Sequence, residues 1–135
     1  MAMMTVNTQL ALLAGFFAVG GAAHFIFPTA YVAIMPPWLP QPILLVYISG
    51  VLEIAGGIAV LSPRLRTAAG WGLIALSLAV LPANVQMLLD AHRDHSSRFW
   101  QGLLMLRLPL QFALIAWIRM LTRPRRAAVP VPSIE

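Results

Sequence analysis

The sequence predicts an all-α protein: a four-helix transmembrane bundle with a proline-rich interfacial cap between its first and second helices. Composition is the first observation behind this prediction, since 60% of the 135 residues are hydrophobic and 10% are charged. Soluble domains are about 45–50% apolar and about 25% charged, and so small a domain could not bury this much apolar surface. The composition therefore excludes a soluble globular domain and a disordered chain, and it indicates a bilayer as solvent.

Four long apolar stretches are the second observation. A helix needs about 20 mainly apolar residues to cross a membrane, and four stretches qualify: 8–27, 42–61, 67–89 and 101–121. The first has no positively charged start and no clear cleavage site, so we interpret it as a retained helix and not as a signal peptide. We expect a membrane domain over residues 1–126 and a disordered cytoplasmic tail over residues 127–135.

The proline-rich segment between the first two spans is the third observation. It runs from Pro28 to Pro42 and holds five prolines and no charge. Proline fixes its own φ and has no N–H to donate, so this segment cannot continue a helix. Aromatic rings favour the membrane interface, and Tyr31 and Trp38 therefore predict a short cap that lies there.

The charged residues predict the orientation. All nine cations are arginines, and the four acids leave a formal charge of +5. The side that holds both termini and the second loop carries six of them: Arg64, Arg66, Arg119, Arg123, Arg125 and Arg126. The other side carries Arg93 and Arg98. Since positive loops stay in the cytoplasm, we expect cytoplasmic termini and an outward-facing cap. These arginines follow no single face, which argues against a nucleic-acid partner.

Polar residues inside the spans are the candidates for function, because a polar group in hydrocarbon is costly unless it is partnered. Helical spacing and depth bring all six towards one interior, in the outer half of the bundle. They are His24, Glu53, Asn84, Gln86, Arg107 and Gln111.

Two of these residues are predicted to pair. Glu53 is the only acid within a span and Arg107 the only cation well inside one, so an ion pair would lower the cost of both charges. Glycines at 20, 21, 50, 56 and 57 leave room beside the polar groups. Pro82 and Pro109 are expected to bend their helices. The alternative is that the polar set only locks the helices together.

The sequence gives little support for thiol chemistry or metal binding. Without cysteine, disulfides and thiol chemistry are excluded. The acids and histidines of residues 90–95 lack a zinc-like spacing, and the methionines are scattered, so we expect no metal.

Several motifs together resemble the DoxX-like family of small bacterial membrane proteins. They are GGAAHFIFPTAYVAIMPPWLP, YISGVLEIAGG, LPANVQM and LRLPLQ, and they span about residues 20–117. The resemblance implies a four-helix protein of the bacterial inner membrane, and it implies an association with quinone-linked redox enzymes or oxidant-stress assemblies. The matching positions are His24, Pro36, Pro37, Trp38, Pro40, Glu53, Asn84 and Arg107.

Three functions stay open. In the first, an intramembrane pocket binds a quinone or another lipid-like molecule with a polar head. Its polar contacts would come from the interior set, including Asn84, Gln111 and Gln86, with Trp38 covering the ring. In the second, Glu53 and His24, with Arg107, perform acid–base catalysis on a lipid-soluble substrate, by isomerisation, cyclisation or epoxide opening. The third is a structural subunit, with another copy or a redox enzyme as its partner.

Overall fold

The computed structural model describes residues 5–124, which form a helical bundle without a strand in that range. The six helices are α1 (Val6–Ile26), α2 (Pro28–Ala33), α3 (Pro42–Ala59), α4 (Arg66–Ala79), α5 (Leu81–Arg93) and α6 (Arg98–Thr122). Four segments are long and apolar enough to cross a membrane: α1, α3, the α4–α5 pair and α6. The predicted four-helix bundle is confirmed, and the predicted tail at 127–135 lies outside the described residues.

Proline residues prevent one continuous helix between α1 and α3, as the sequence predicts. Helix α1 starts at a Thr5 cap, whose hydroxyl accepts a hydrogen bond from the Thr8 N–H. It ends at Phe27, and Pro28 opens α2 at a position where the missing N–H costs nothing. The chain then turns through a left-handed Gln41, with φ 52°, and enters α3 at Pro42.

The third span is interrupted at Val80, between α4 and α5. Helix α4 ends at Ala79 and α5 begins at Leu81, with Pro82 in its first turn. Pro82 has no N–H for the carbonyl one turn earlier, and its ring crowds that carbonyl, so the helix restarts instead of continuing. Pro109, by contrast, lies inside an unbroken α6.

The end of the bundle that holds the α3–α4 turn, here called the basal end, is close-packed. Its core lies between α1, the end of α3, α4 and the end of α6. Because lipid tails are as apolar as leucine, membrane helices associate through close packing and hydrogen bonds. Arg66 also contributes here, since its Nε donates to the Val60 carbonyl at 2.9 Å. The buried core residues are Leu10, Leu13, Ala14, Phe17, Val60, Leu73, Ile74, Ile118 and Leu121.

The opposite end, called the α2 end, is split. Helices α1, α2 and α3 pack together there, whereas α5 packs against α6 and joins α4. Within residues 5–124, the backbone of α5 does not approach α1, α2 or α3. The bundle is therefore closed at the basal end and opens into a gap at the α2 end.

Candidate functional site

A cavity of about 250 Å³ lies between the two halves of the α2 end. Every helix of the bundle contributes to its wall, which mixes apolar and polar side chains. Five of the seven residues that the sequence predicts for the site line this cavity: His24, Glu53, Asn84, Arg107 and Gln111. The remaining wall is formed by Phe16, Phe17, Gly20, Tyr31, Ile34, Met35, Val46, Ser49, Leu76, Ser77, Val80, Ala83 and Leu114.

Close contact between α1 and α3 places Glu53 in the cavity. A methyl group on Gly21 would lie 2.6 Å from the Gly50 carbonyl oxygen, so these two backbones touch only because both residues are glycine. One residue earlier on α1, a methyl group on Gly20 would lie 2.9 Å from Oε2 of Glu53. The carboxyl group therefore lies directly on the backbone of α1.

His24 is oriented by its own helix. Side chains of a helix lean towards its N-terminus, and Nδ1 of His24 lies 3.1 Å from the Gly20 carbonyl oxygen, one turn earlier. A carbonyl oxygen only accepts, so Nδ1 carries the proton in this hydrogen bond. The same atom lies 3.9 Å from Oε2 of Glu53. The side chains of His24 and Glu53 are 7% and 15% exposed, so both are held inside the bundle.

Tyr31 of α2 covers the histidine. Its ring centroid lies 3.9 Å from that of His24, with the two planes inclined by 31°. Burial raises the pKa of the Tyr31 phenol above its usual range, and the negative charge of Glu53 raises it further, against an opposing effect of Arg107. Tyr31 is therefore a neutral phenol at physiological pH, able to donate a hydrogen bond.

An amide relay joins the other half of the cavity. Nδ2 of Asn84 donates to Oε1 of Gln111 at 3.0 Å, and Nε2 of Gln111 donates to the Ser77 carbonyl at 2.6 Å. This relay links α4, α5 and α6 next to the break in the third span. Asn84 is 4% exposed, and its amide is thus one of the most enclosed polar groups of the bundle.

The expected ion pair between Glu53 and Arg107 is absent from the described residues, and that prediction was wrong. Oε2 of Glu53 lies instead 3.9 Å from Nδ1 of His24, beside the glycines at which α1 and α3 touch. Arg107 lines the cavity from α6 but is exposed, and it makes no hydrogen bond or ion pair within residues 5–124. The two charges share one cavity without meeting.

Two predicted contact residues lie outside the cavity lining. Gln86 is two positions beyond Asn84, which turns it to the other side of α5, and its amide donates to Oδ1 of Asp90 at 2.8 Å. Trp38 is 70% exposed in the turn after α2, and this segment lines the cavity instead through Tyr31 of α2 and through Ile34 and Met35, which follow α2. Neither residue is placed to touch a molecule in the cavity.

Tyr31 is the functional candidate that the sequence prediction missed, because an aromatic residue in a proline-rich segment was interpreted as an interface anchor. The available signal is the spacing of Tyr31, Ile34 and Met35, at i, i+3 and i+4, which lines one face of a short helix. All three line the cavity.

The cavity offers a defined set of polar groups. The guanidinium and the phenol donate hydrogen bonds, the carboxyl group accepts them, and the amides do both. Among residues 5–124, no group of three or more His, Asp and Glu side chains is placed to hold a metal ion.

Comparison with known families gave one match. Residues 13–122 match the model of the family described as "Domain of unknown function (DUF8561)". No curated protein and no solved structure matches the chain. The matched segment contains every residue that lines the cavity. The resemblance to the DoxX-like family stays a prediction.

Proposed function

We propose that this chain, which belongs to the DUF8561 family, binds the polar head of a lipid-soluble molecule, a quinone or another lipid-like compound, within the membrane. The observation that supports this most strongly is the cavity itself, where polar side chains from α1, α3, α5 and α6 meet among apolar walls. An intramembrane pocket of this kind is typical of a site for an apolar molecule whose head needs hydrogen bonds. The proposal includes an association with redox enzymes, as the DoxX-like resemblance implies.

The size of the cavity limits what can enter it. A cavity of about 150 Å³ is enough for benzene, whereas complete drug-sized ligands occupy about 300–1,000 Å³. At about 250 Å³, the cavity accommodates one substituted ring or a short head group. A long isoprenoid or alkyl tail must therefore lie outside it.

The split α2 end gives such a tail a path. Because the backbone of α5 stays away from α1 and α3, the gap between the two halves leads from the cavity towards the surrounding lipid. We place this site in the outer half of a bacterial inner membrane, with both termini in the cytoplasm.

The test is binding of a benzoquinone with a decyl tail to the purified protein in nanodiscs of zwitterionic lipid. Binding to the folded state raises its stability, by about 2.7 kcal/mol at a hundredfold excess over Kd. We expect a saturable rise in Tm for the parent protein, and a weakened one for Glu53→Gln and Asn84→Ala. The matched controls Asp90→Asn and Gln86→Ala, outside the cavity, should behave as the parent. Equal responses of all four variants would contradict the proposal.

A second candidate function is acid–base catalysis, and the His24–Glu53 pair favours it. The two groups lie 3.9 Å apart beside the cavity, and the hydrogen bond to Gly20 fixes the imidazole. A catalytic Glu53 predicts that Glu53→Gln retains its unreacted substrate. Mass spectrometry of molecules co-purified with the parent and with this variant should then find two different compounds. The same compound in both would exclude turnover and leave the binding function.

A further inference from the structure

Arg107 is a charged residue within a span whose counter-ion is not supplied by the described chain. It is the tenth residue of α6, about 14 Å along the axis from the start of this helix. Ionised side chains at such depth nearly always face a protein interior or cavity and pair with another group. Arg107 faces the cavity, but it forms no ion pair or hydrogen bond within residues 5–124.

The neighbouring acid does not fill this role. The Glu53 carboxyl group lies 3.9 Å from Nδ1 of His24 and on the backbone of Gly20, on the α1–α3 side of the cavity, and it forms no ion pair with Arg107 within residues 5–124. Arg107 lines the cavity from α6, which packs against α4 and α5. Its guanidinium, with five N–H donors in one plane, is suited to an oxyanion that occupies the space between.

We propose that the molecule in this cavity is an amphiphile with one alkyl chain and a carboxylate head, and that Arg107 binds the carboxylate. This inference rests on the proposed function and names the class of its ligand. The volume of about 250 Å³ suits a carboxylate and the first part of a chain, whose remainder lies outside the cavity. Tyr31 lines the same cavity as a neutral donor and supplies a further hydrogen bond to the head.

The experiment compares three probes on the protein in nanodiscs of zwitterionic lipid, in an alkaline buffer that ionises the acid. The probes are dodecanoic acid, dodecanol and the decyl benzoquinone. The acid and the alcohol share their chain, so their difference in Kd reports on the charged head alone. We expect the parent to bind the acid at least tenfold more tightly than the alcohol, since charge-assisted hydrogen bonds are about twice as strong as neutral ones.

Variants assign this preference to one residue. Arg107→Gln should remove the preference and bind acid and alcohol alike, whereas Arg107→Lys should retain part of it. Arg98→Gln is the matched control, because Arg98 is an exposed arginine at the start of the same helix and is not part of the cavity lining. It should keep the full preference. Measurements on the parent alone remain decisive if a variant at position 107 fails to fold.

The experiment distinguishes a failure of the carboxylate inference from a failure of the proposed binding function. If the parent binds the quinone or the alcohol as tightly as the acid, the carboxylate inference is overturned while the cavity remains a binding site. The inference is also overturned if the preference survives in Arg107→Gln. If the parent binds none of the three probes, the proposed function falls and this inference falls with it.

Discussion

Nδ1 of His24 lies 3.9 Å from Oε2 of Glu53, so the acid of the second span lies beside the histidine of the first. Depth and charge alone favoured Arg107 as its partner. The packing of α1 on α3 decides otherwise, because Gly20 leaves space for the carboxyl group against the backbone of α1. The contact joins α1 to α3, and Arg107 is left available on the opposite wall.

Double-mutant cycles should detect this partnership. Residues in contact typically show coupling energies of about 0.5–3 kcal/mol. We expect the cycle of His24→Gln with Glu53→Gln to fall in that range, measured by denaturant unfolding in detergent. The cycle of Glu53→Gln with Arg107→Gln should give a clearly smaller value. A larger coupling of Glu53 to Arg107 would restore the pairing that the sequence suggests.

Gly21→Ala should destabilise the bundle. The added methyl group would lie 2.6 Å from the Gly50 carbonyl oxygen, a backbone atom that cannot move alone. Overpacking of this kind costs about 1–3 kcal/mol, which should appear as a lower Tm. Gly15→Ala is the control on the same helix, because nothing lies within 4 Å of its added methyl group. Equal stability of the two variants would show that α1 and α3 do not approach at Gly21.

The amide relay should stabilise the joint between α5 and α6. Hydrogen bonds between membrane helices contribute about 0.6 kcal/mol on average and about 1.7 kcal/mol at most. We expect a coupling within those limits for Asn84→Ala with Gln111→Ala, again by unfolding in detergent. The control cycle combines Gln86→Ala with Gln111→Ala. Gln86 hydrogen-bonds within its own helix, so this cycle should show no coupling. Equal coupling in both cycles would contradict the relay.

Much of the fold was predictable from the sequence, because a span in lipid must be apolar and helical along its whole length. The same physics selected residues that line the cavity, since polar residues such as Asn84 and Gln111 are rare in spans and turn inward. Residue type and depth were enough to assign five cavity residues from four separate spans.

The wrong predictions concern features that the spacing of residues in the sequence does not encode. The partner of Glu53 depends on how deeply α1 packs against α3, and this is set by backbone contact at glycines. Trp38 and Tyr31 belong to one proline-rich segment, and only its folded path shows which ring covers the cavity.

Topology is a separate prediction. Connectivity places Arg64, Arg66, Arg119 and Arg123 at the basal end and Arg93 and Arg98 at the α2 end. Because positive residues are retained in the cytoplasm, a C-terminal reporter that is active only in the periplasm should stay silent. The same reporter fused within the α5–α6 loop should be active. Activity at the C-terminus alone would reverse the orientation and move the cavity to the inner leaflet.

The central claim is that the cavity holds a molecule. The most direct test is to fill the cavity with a larger side chain. Leu114 lines the cavity, whereas Leu110, one turn away on α6, is 57% exposed and outside the lining. The measurement is mass spectrometry of lipid-soluble molecules that co-purify with the parent, Leu114→Trp and Leu110→Trp. The account predicts one compound in stoichiometric amount with the parent and with Leu110→Trp, and its loss from Leu114→Trp. Retention of the same compound by Leu114→Trp in a folded state, or no bound molecule in any of the three proteins, would contradict it.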